Sequence, residues 1–194
     1  MNETFSTPET PASSTCNAPE SPHVSAVIEG LCATVTDYPK PGIVFQDLTP
    51  VFANGPALKQ VVDAIVCAFA GKFDAVAGVE ARGFLLAAAA AYATGTGVIT
   101  IRKAGKLPRE VLSESYSLEY GEATLELHQG DVPAGTRVLI LDDVLATGGT
   151  LGAAAALLER TGAVVAGVGV VLEIDGLPGR DNLAGHEVLS LLHV

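Results

Sequence analysis

Basic residues are scarce in this chain: eleven Lys and Arg stand against twenty-two Asp and Glu, for a formal net charge of −11. A nucleic acid or an anionic membrane surface needs a basic face, so the balance argues against both as partners. Tryptophan is absent and aromatic residues make up only 5 % of the chain, while 48 % of the residues are hydrophobic and twenty-one are glycine. The core must therefore be packed from alanine, valine and leucine, which suits an α/β protein of one domain. Cysteine is also sparse. Cys16, Cys32 and Cys67 form neither a metal-type spacing nor an even set, so a reduced, cytoplasmic setting is the simplest reading. Long hydrophobic runs are missing too. The longest, residues 84–93, is too short and too rich in alanine for a membrane span. No basic region followed by an apolar stretch opens the sequence, so no secretory signal is read there. His23, His128, His186 and His193 show no ligand spacing.

Against that acidic background, Arg102, Lys103, Lys106 and Arg109 put four of the eleven basic residues within eight positions. A local cationic patch of this kind is what a polyanionic small substrate requires. The most informative stretch is residues 137–150, RVLILDDVLATGGT. Residues 138–141 are an apolar, β-branched run that reads as a buried strand. Asp142 and Asp143 place two carboxylates at its end. Ala146, Thr147, Gly148, Gly149 and Thr150 then form a tight loop of small and hydroxyl residues, and an alanine-rich helix pattern follows. Small residues between a strand and a helix N-terminus let backbone N–H groups approach an anion, and the helix dipole favours a phosphate there. Two adjacent carboxylates repel and are costly to desolvate unless a diol, or Mg²⁺ held partly through water, relieves them. Phosphate cradle and acidic pair together describe a ribose 5-phosphate pocket. The plainer alternative is an ordinary strand–turn–helix with a solvated acid pair. No lysine follows the glycines, so the loop is not a Walker loop, nor is it the dinucleotide fingerprint.

The rest of the chain reads in order. Residues 1–20 are rich in Ser, Thr, Pro and Glu with Phe5 as the one large apolar residue, which predicts a disordered extension to a single domain over 21–194. Ser21 and Pro22 open a helix whose apolar positions are Val24, Val27, Ile28, Leu31 and Val35, ending before Pro39. A second helix carries Leu58 to Phe69 and closes at Gly71. Strands follow over 73–79 and 98–101, separated by a loop, Glu80-Ala81-Arg82-Gly83, and a helix over 84–93. Residues 103–120 have no sustained period and exceed the usual loop length, which points to a functional, flexible segment. Strands over 123–129, 163–172 and 187–193 complete the alternation. The implied architecture is α/β, with a mainly parallel central sheet flanked by helices and its ligand at the strands' C-terminal ends.

The stretch 137–150 resembles the phosphoribosyl pyrophosphate (PRPP) motif of type I phosphoribosyltransferases. Further stretches resemble one member family, adenine phosphoribosyltransferase: YPKPGIVFQDLTPVF (38–52), GVEARGF (78–84), IRKAGKLP (101–108), SYSLEYG (115–121) and VLEIDGLPGRDNL (171–183). The resemblance implies a type I phosphoribosyltransferase-like fold with a flexible active-site loop and a small N-terminal hood. It implies conversion of adenine and PRPP to AMP and pyrophosphate with Mg²⁺, in a cytoplasmic homodimer of the purine salvage route. It also implies roles. Asp142 and Asp143 would hold the ribose diol, with Mg²⁺ nearby through PRPP and water rather than direct protein ligands. Ala146 to Thr150 would hold the 5-phosphate. Arg82, Lys103 and Lys106 would hold pyrophosphate, although Arg82 could instead form a structural ion pair. Glu119 would be the general acid/base. Val44, Phe45, Gln46 and Ile174 would wall the adenine. This chain departs from the family at Gln46, where arginine is usual, and at Ala81, where a small hydroxyl residue is usual.

Two other functions compete. A phosphoribosyltransferase for a 6-oxopurine or xanthine would use a lysine donating to the oxo group, and residues 172–180 contain none. A PRPP-sensing regulator would need a nucleic-acid-binding surface, which the acidic balance and the lack of a helix-turn-helix segment disfavour.

Overall fold

The computed structural model describes residues 21–118 and 121–194. The expected extension over 1–20 and the expected acid/base Glu119 lie outside the described residues. The chain begins with helix α1 (Ser21–Leu31) and a two-stranded hood, β1 (Ala33–Thr36) and β2 (Val44–Asp47), paired antiparallel from Ala33 opposite Asp47 to Thr36 opposite Val44. Helices α2 (Thr49–Ala53) and α3 (Gly55–Ala68) follow. Then come β3 (Ala75–Val79), α4 (Gly83–Thr94), β4 (Gly97–Lys103), β5 (Val111–Leu118) and β6 (Gly121–His128). The chain finishes with β7 (Arg137–Leu145), α5 (Gly149–Arg160), β8 (Val164–Glu173), a 3₁₀ turn (Asp181–Leu183) and β9 (Val188–His193).

The main sheet has seven strands in the order β5-β6-β4-β3-β7-β8-β9. From β4 to β9 neighbours run parallel. The β5–β6 hairpin is antiparallel and joins the edge through β4. Side chains of β7 alternate between two cores. Leu139 and Leu141 pack with Val61, Ile65 and Leu86 on the α3/α4 face, whereas Val138 and Ile140 pack with Leu151, Ala154 and Leu158 of α5 on the other. Small residues set the spacing between layers. A Cβ at Gly78 would lie 2.7 Å from the Gly83 carbonyl oxygen and 2.8 Å from Ala87 Cβ, so α4 rests directly on β3.

Two expectations change. Val35, which continues the helical spacing of α1, is a strand residue. Thr34, Val35 and Thr36 are β-branched and find pairing partners in Gln46, Phe45 and Val44, so the helix stops at Leu31. Residues 111–118 are not aperiodic loop but strand β5, in unbroken register with β6 from Val111 opposite His128 to Leu118 opposite Gly121. The arm is pinned to α5, where Arg160 donates to the Ser113 carbonyl at 2.6 Å and to the Glu114 carboxylate at 2.9 Å.

Candidate active site

β3 and β7 are parallel neighbours, paired from Ala75 opposite Val138 to Gly78 opposite Leu141. The loops that follow them therefore emerge at the same edge of the sheet. One is Glu80-Ala81-Arg82, leading into α4. The other is Ala146-Thr147-Gly148, leading into α5. Between them lies a cavity of about 380 Å³ lined by Glu80, Ala81, Arg82, Lys103, Tyr116, Ala123, Leu125, Asp142, Asp143 and Thr150.

Asp142 and Asp143 are both buried here. Asp142 Oδ1 accepts the Asp143 backbone N–H at 2.9 Å. Burial first, and the Asp143 charge beside it second, push the Asp142 carboxyl well above its ordinary range. Asp143 Oδ2 is buried and accepts no hydrogen bond. Its cationic neighbour is Arg82, with Nε 2.7 Å away, a contact of charge rather than of a directed hydrogen bond. Gly83 makes this crowding possible, since a Cβ there would lie 2.5 Å from the Leu141 carbonyl oxygen and 3.1 Å from Asp142 Oδ1.

Glu80 gathers the basic patch. Its carboxylate accepts from Lys106 Nζ at 2.5 Å, from the Lys103 backbone N–H at 3.0 Å and from Arg102 Nε at 3.4 Å. The Lys106 hydrogen bond leads in holding Glu80 down at about 2. Lys103 lines the cavity, whereas Lys106 reaches it only through Glu80. Arg109 points elsewhere, paired through both terminal nitrogens with Asp131 at 2.9 and 2.8 Å.

Beyond the acid pair, a small pocket of about 80 Å³ is lined by Asp142, Val144 and each residue from Leu145 to Leu151. Gly148 precedes α5 with φ of 79°, a left-handed conformation that glycine adopts without strain. Thr150 Oγ1 donates to Tyr116 Oη at 3.1 Å, so the β5 arm touches the loop. Tyr116, which the sequence offers either as a cover for the site or as packing against the loop, does both: it lines the cavity and meets Thr150.

The third pocket, about 340 Å³, is apolar. It is lined by Ile43, Val44, Phe45 and Gln46 of the hood, Val144 of β7, Leu172 of β8, Ile174 and Val194. Val144, Leu172 and Val194 were not singled out by sequence. Val144 carries a signal, because it lies between the acid pair and the loop. Gln46 is held by the hood, its Oε1 accepting from Thr34 Oγ1 at 3.1 Å and from Cys32 Sγ at 3.4 Å. Asp47 braces the entry to α2, accepting from both the N–H and the hydroxyl of Thr49. The three pockets are strung along one strand end: Asp142 lines the first two and Val144 the last two.

Residues 51–185 match the family model for the phosphoribosyl transferase domain. An adenine phosphoribosyltransferase from Arthrobacter sp. (strain FB24) is 74 % identical over 171 residues, covering 88 % of this chain and 92 % of the relative. The chain belongs to the adenine phosphoribosyltransferase family. Solved structures of adenine phosphoribosyltransferases share its fold. The enzyme from Thermoanaerobacter pseudethanolicus superposes with a TM-score of 0.83 at 43 % identity, covering 86 % of this chain and 98 % of that one. The enzyme from Saccharomyces cerevisiae, complexed with an imino-altritol bisphosphate and adenine, also gives 0.83, at 35 % identity over 88 % of this chain and 99 % of that one. Within the adenine phosphoribosyltransferase family, the α/β architecture with a helix-flanked central sheet is thus common to relatives from bacteria and yeast.

Proposed function

We propose that this protein transfers the phosphoribosyl group of PRPP to adenine, giving AMP and pyrophosphate, as a step of purine salvage in the cytoplasm. The observation that carries the reading is the string of three pockets along the end of β7: acid pair with cations, phosphate-sized loop, and apolar wall. Family membership adds that the Saccharomyces cerevisiae relative binds adenine together with a bisphosphate iminosugar.

In this reading the 5-phosphate lies on Ala146, Thr147, Gly148, Gly149 and Thr150, at the N-terminus of α5. Asp142 and Asp143 hold the ribose diol. The buried Asp143 Oδ2, which accepts no hydrogen bond, and the Asp142 carboxyl beside it are the groups such a ligand satisfies. Among the described residues no group of three or more His, Cys, Asp or Glu is placed to hold a metal ion. Two carboxylates suit a hard cation held through water, so Asp142 and Asp143 would hold Mg²⁺ that comes with PRPP, and the ion would offset the phosphate charge. Arg82 and Lys103 face the same cavity and stabilise the pyrophosphate, which gains negative charge as the bond to C1′ breaks. Lys106 joins them from the Glu80 cluster. The adenine ring stacks into the apolar pocket against Val44, Phe45 and Ile174, with Gln46 at its rim. A pocket of about 340 Å³ is within the range that small-molecule sites occupy. Glu119, which falls between β5 and β6 in the sequence, is the proposed proton donor and acceptor for the purine.

The protein is further read as a homodimer. Leu85 and Tyr92 of α4 are 53 % and 93 % exposed and share a helical stripe with Ala89, an apolar surface suited to a second copy. Light scattering on the purified chain reads the mass. The test of function is base-specificity kinetics with PRPP and adenine, hypoxanthine, guanine or xanthine. AMP from adenine, at a kcat/KM well above the others, is expected. Nucleotide from another base and none from adenine would overturn the assignment.

A further inference from the structure

The turn after β8 lies outside the three pockets, yet it grips the loop that forms one of them. Asn182, on the 3₁₀ turn, donates its Nδ2 to the Thr147 carbonyl oxygen at 2.6 Å. Facing a carbonyl, the side-chain amide must present its nitrogen. Two glycines let the backbones close to this distance. A Cβ on Gly148 would lie 2.4 Å from the Gly179 carbonyl oxygen, and one on Gly179 would lie 2.4 Å from the Ala146 carbonyl oxygen. The turn is itself fixed to the sheet. Arg180 donates through Nε and Nη2 to the Glu173 carboxylate at 2.8 and 2.7 Å, and Leu183 is buried in the α5 core.

The loop needs such a brace because its own side chains are too small to hold it. Among the described residues, no hydrogen bond occupies the backbone N–H groups of Thr147, Gly148 or Gly149. The Thr147 carbonyl and the Gly148 N–H belong to one planar trans peptide and point in opposite directions. A donor that fixes the carbonyl therefore fixes the direction of the N–H on the other side. It also polarises the peptide and strengthens that N–H as a donor.

We infer that Asn182 is a positioning residue for the 5-phosphate, acting through the Thr147–Gly148 peptide. The inference rests on the PRPP reading above. Asn182 is exposed, so replacing it removes little buried surface and the variants fold. Asn182→Ala removes the donor. Asn182→Asp keeps the shape but turns a donor into an acceptor against a carbonyl. Loss of one such bond raises the KM for PRPP about five- to tenfold, more in the aspartate variant. The KM for adenine and kcat stay within about twofold, because the bond acts on phosphate placement alone. Asn182→Gln, which restores an amide on a longer stem, recovers part of the loss. Calorimetric titration with AMP weakens in parallel, whereas titration with adenine does not. An unchanged KM for PRPP in both Asn182→Ala and Asn182→Asp would overturn the inference. So would a rise shared by both substrates and accompanied by a lower Tm, the mark of a general structural role. Turnover by the wild-type chain with unaltered PRPP kinetics in the variants sinks this inference alone, whereas no turnover by the wild-type chain sinks the PRPP reading with it.

Discussion

Replacing Asp142 by asparagine keeps the shape of the β7 terminus and removes one ionisable group. The side-chain oxygen of the substituted amide can still accept the Asp143 N–H, a bond of 2.9 Å in the parent, and the close packing on Gly83 is unaltered. What disappears is a carboxylate that burial and the neighbouring Asp143 both disfavour, and whose pKa is raised well above the ordinary 3.8. A raised acid keeps its proton in the folded state while the unfolded chain releases it. Wild-type stability contributed by this group is therefore intact below 3.8 and declines as pH rises from there toward the folded value. The asparagine variant carries no such proton. The stability gap between the two proteins should open with pH at up to about 1.4 kcal/mol per pH unit and level off above the folded value. For a chain of this size that is a Tm difference growing by about 3–6 °C per unit.

The assay is scanning calorimetry of both proteins in chelator-containing buffer at a series of pH values. The two Tm curves should converge at acid pH and separate toward neutrality, with Asp142→Asn the more stable. Titrating groups remote from the acid pair are common to both proteins and cancel in the difference. At the same time the variant should lose about tenfold or more in kcat/KM for PRPP, since a carboxyl partner for the ribose hydroxyls has gone. A Tm difference independent of pH, or a variant less stable than wild type at neutral pH, would refute the account of Asp142 as a strained carboxylate.

Asp143→Ala removes the buried partner of Arg82 and should raise the KM for PRPP more than tenfold, roughly the loss of one charge-assisted contact, while adenine binding measured by calorimetry stays put. Gly148→Ala forces a side chain onto a φ of 79° and to within 2.4 Å of the Gly179 carbonyl oxygen. Strain of about 1–2 kcal/mol from the left-handed conformation alone predicts a lower Tm and impaired PRPP use, and a wild-type Tm would show that the loop has room to move. Glu80 is depressed to about 2, chiefly by Lys106, so its contribution to stability is present above 4.5 and is lost as pH falls toward 2. Glu80→Gln should lack that acid-induced loss, which acid titration followed by circular dichroism reads directly. Glu119→Gln should lower kcat more than it changes PRPP affinity, and an unaltered kcat would remove Glu119 from proton transfer.

The parts of the fold that were legible in the sequence are those whose determinants are local. Residues 137–160 encode strand, acid pair, small-residue loop and helix within one continuous stretch, and β7 and α5 follow that order, except that pairing with β8 carries β7 through the acid pair to Leu145 instead of ending it at residue 141. The hood and the arm depend on partners far along the chain. Val35 satisfies a helical spacing and a strand equally well, and only the pairing of β1 with Val44–Asp47 decides between them. In the arm, Ser113, Ser115 and Ser117 do alternate with Leu112, Glu114 and Tyr116. Glu114 disguises that period of two, because its charge is placed by Arg160, forty-six positions away. The same reasoning separates the site residues. Asp142, Asp143 and the loop announce themselves by adjacency. Val144, Leu172 and Val194 join one apolar wall only because three sheet elements end at the same level.

The arrangement of charge in the cavity follows from the acidity of the whole chain. An isolated guanidinium or ammonium in a half-buried site would be costly, and so would an isolated carboxylate. The structure offsets three of the cations with acids: Arg82 with Asp143, and Arg102 and Lys106 with Glu80. Of the two cations that line the cavity, Arg82 is thus already partnered, and an entering polyanion must compete for it. PRPP has the chemistry to do so from both sides at once. On the proposed reading, its diol would satisfy Asp143 and so free Arg82 for the pyrophosphate. A simple pyrophosphate lacks the diol and has to break the Arg82–Asp143 contact without replacing it. On that reading the Arg82–Asp143 contact would discriminate between anions that bring a diol and those that do not, coupling recognition of the ribose to neutralisation of the leaving group.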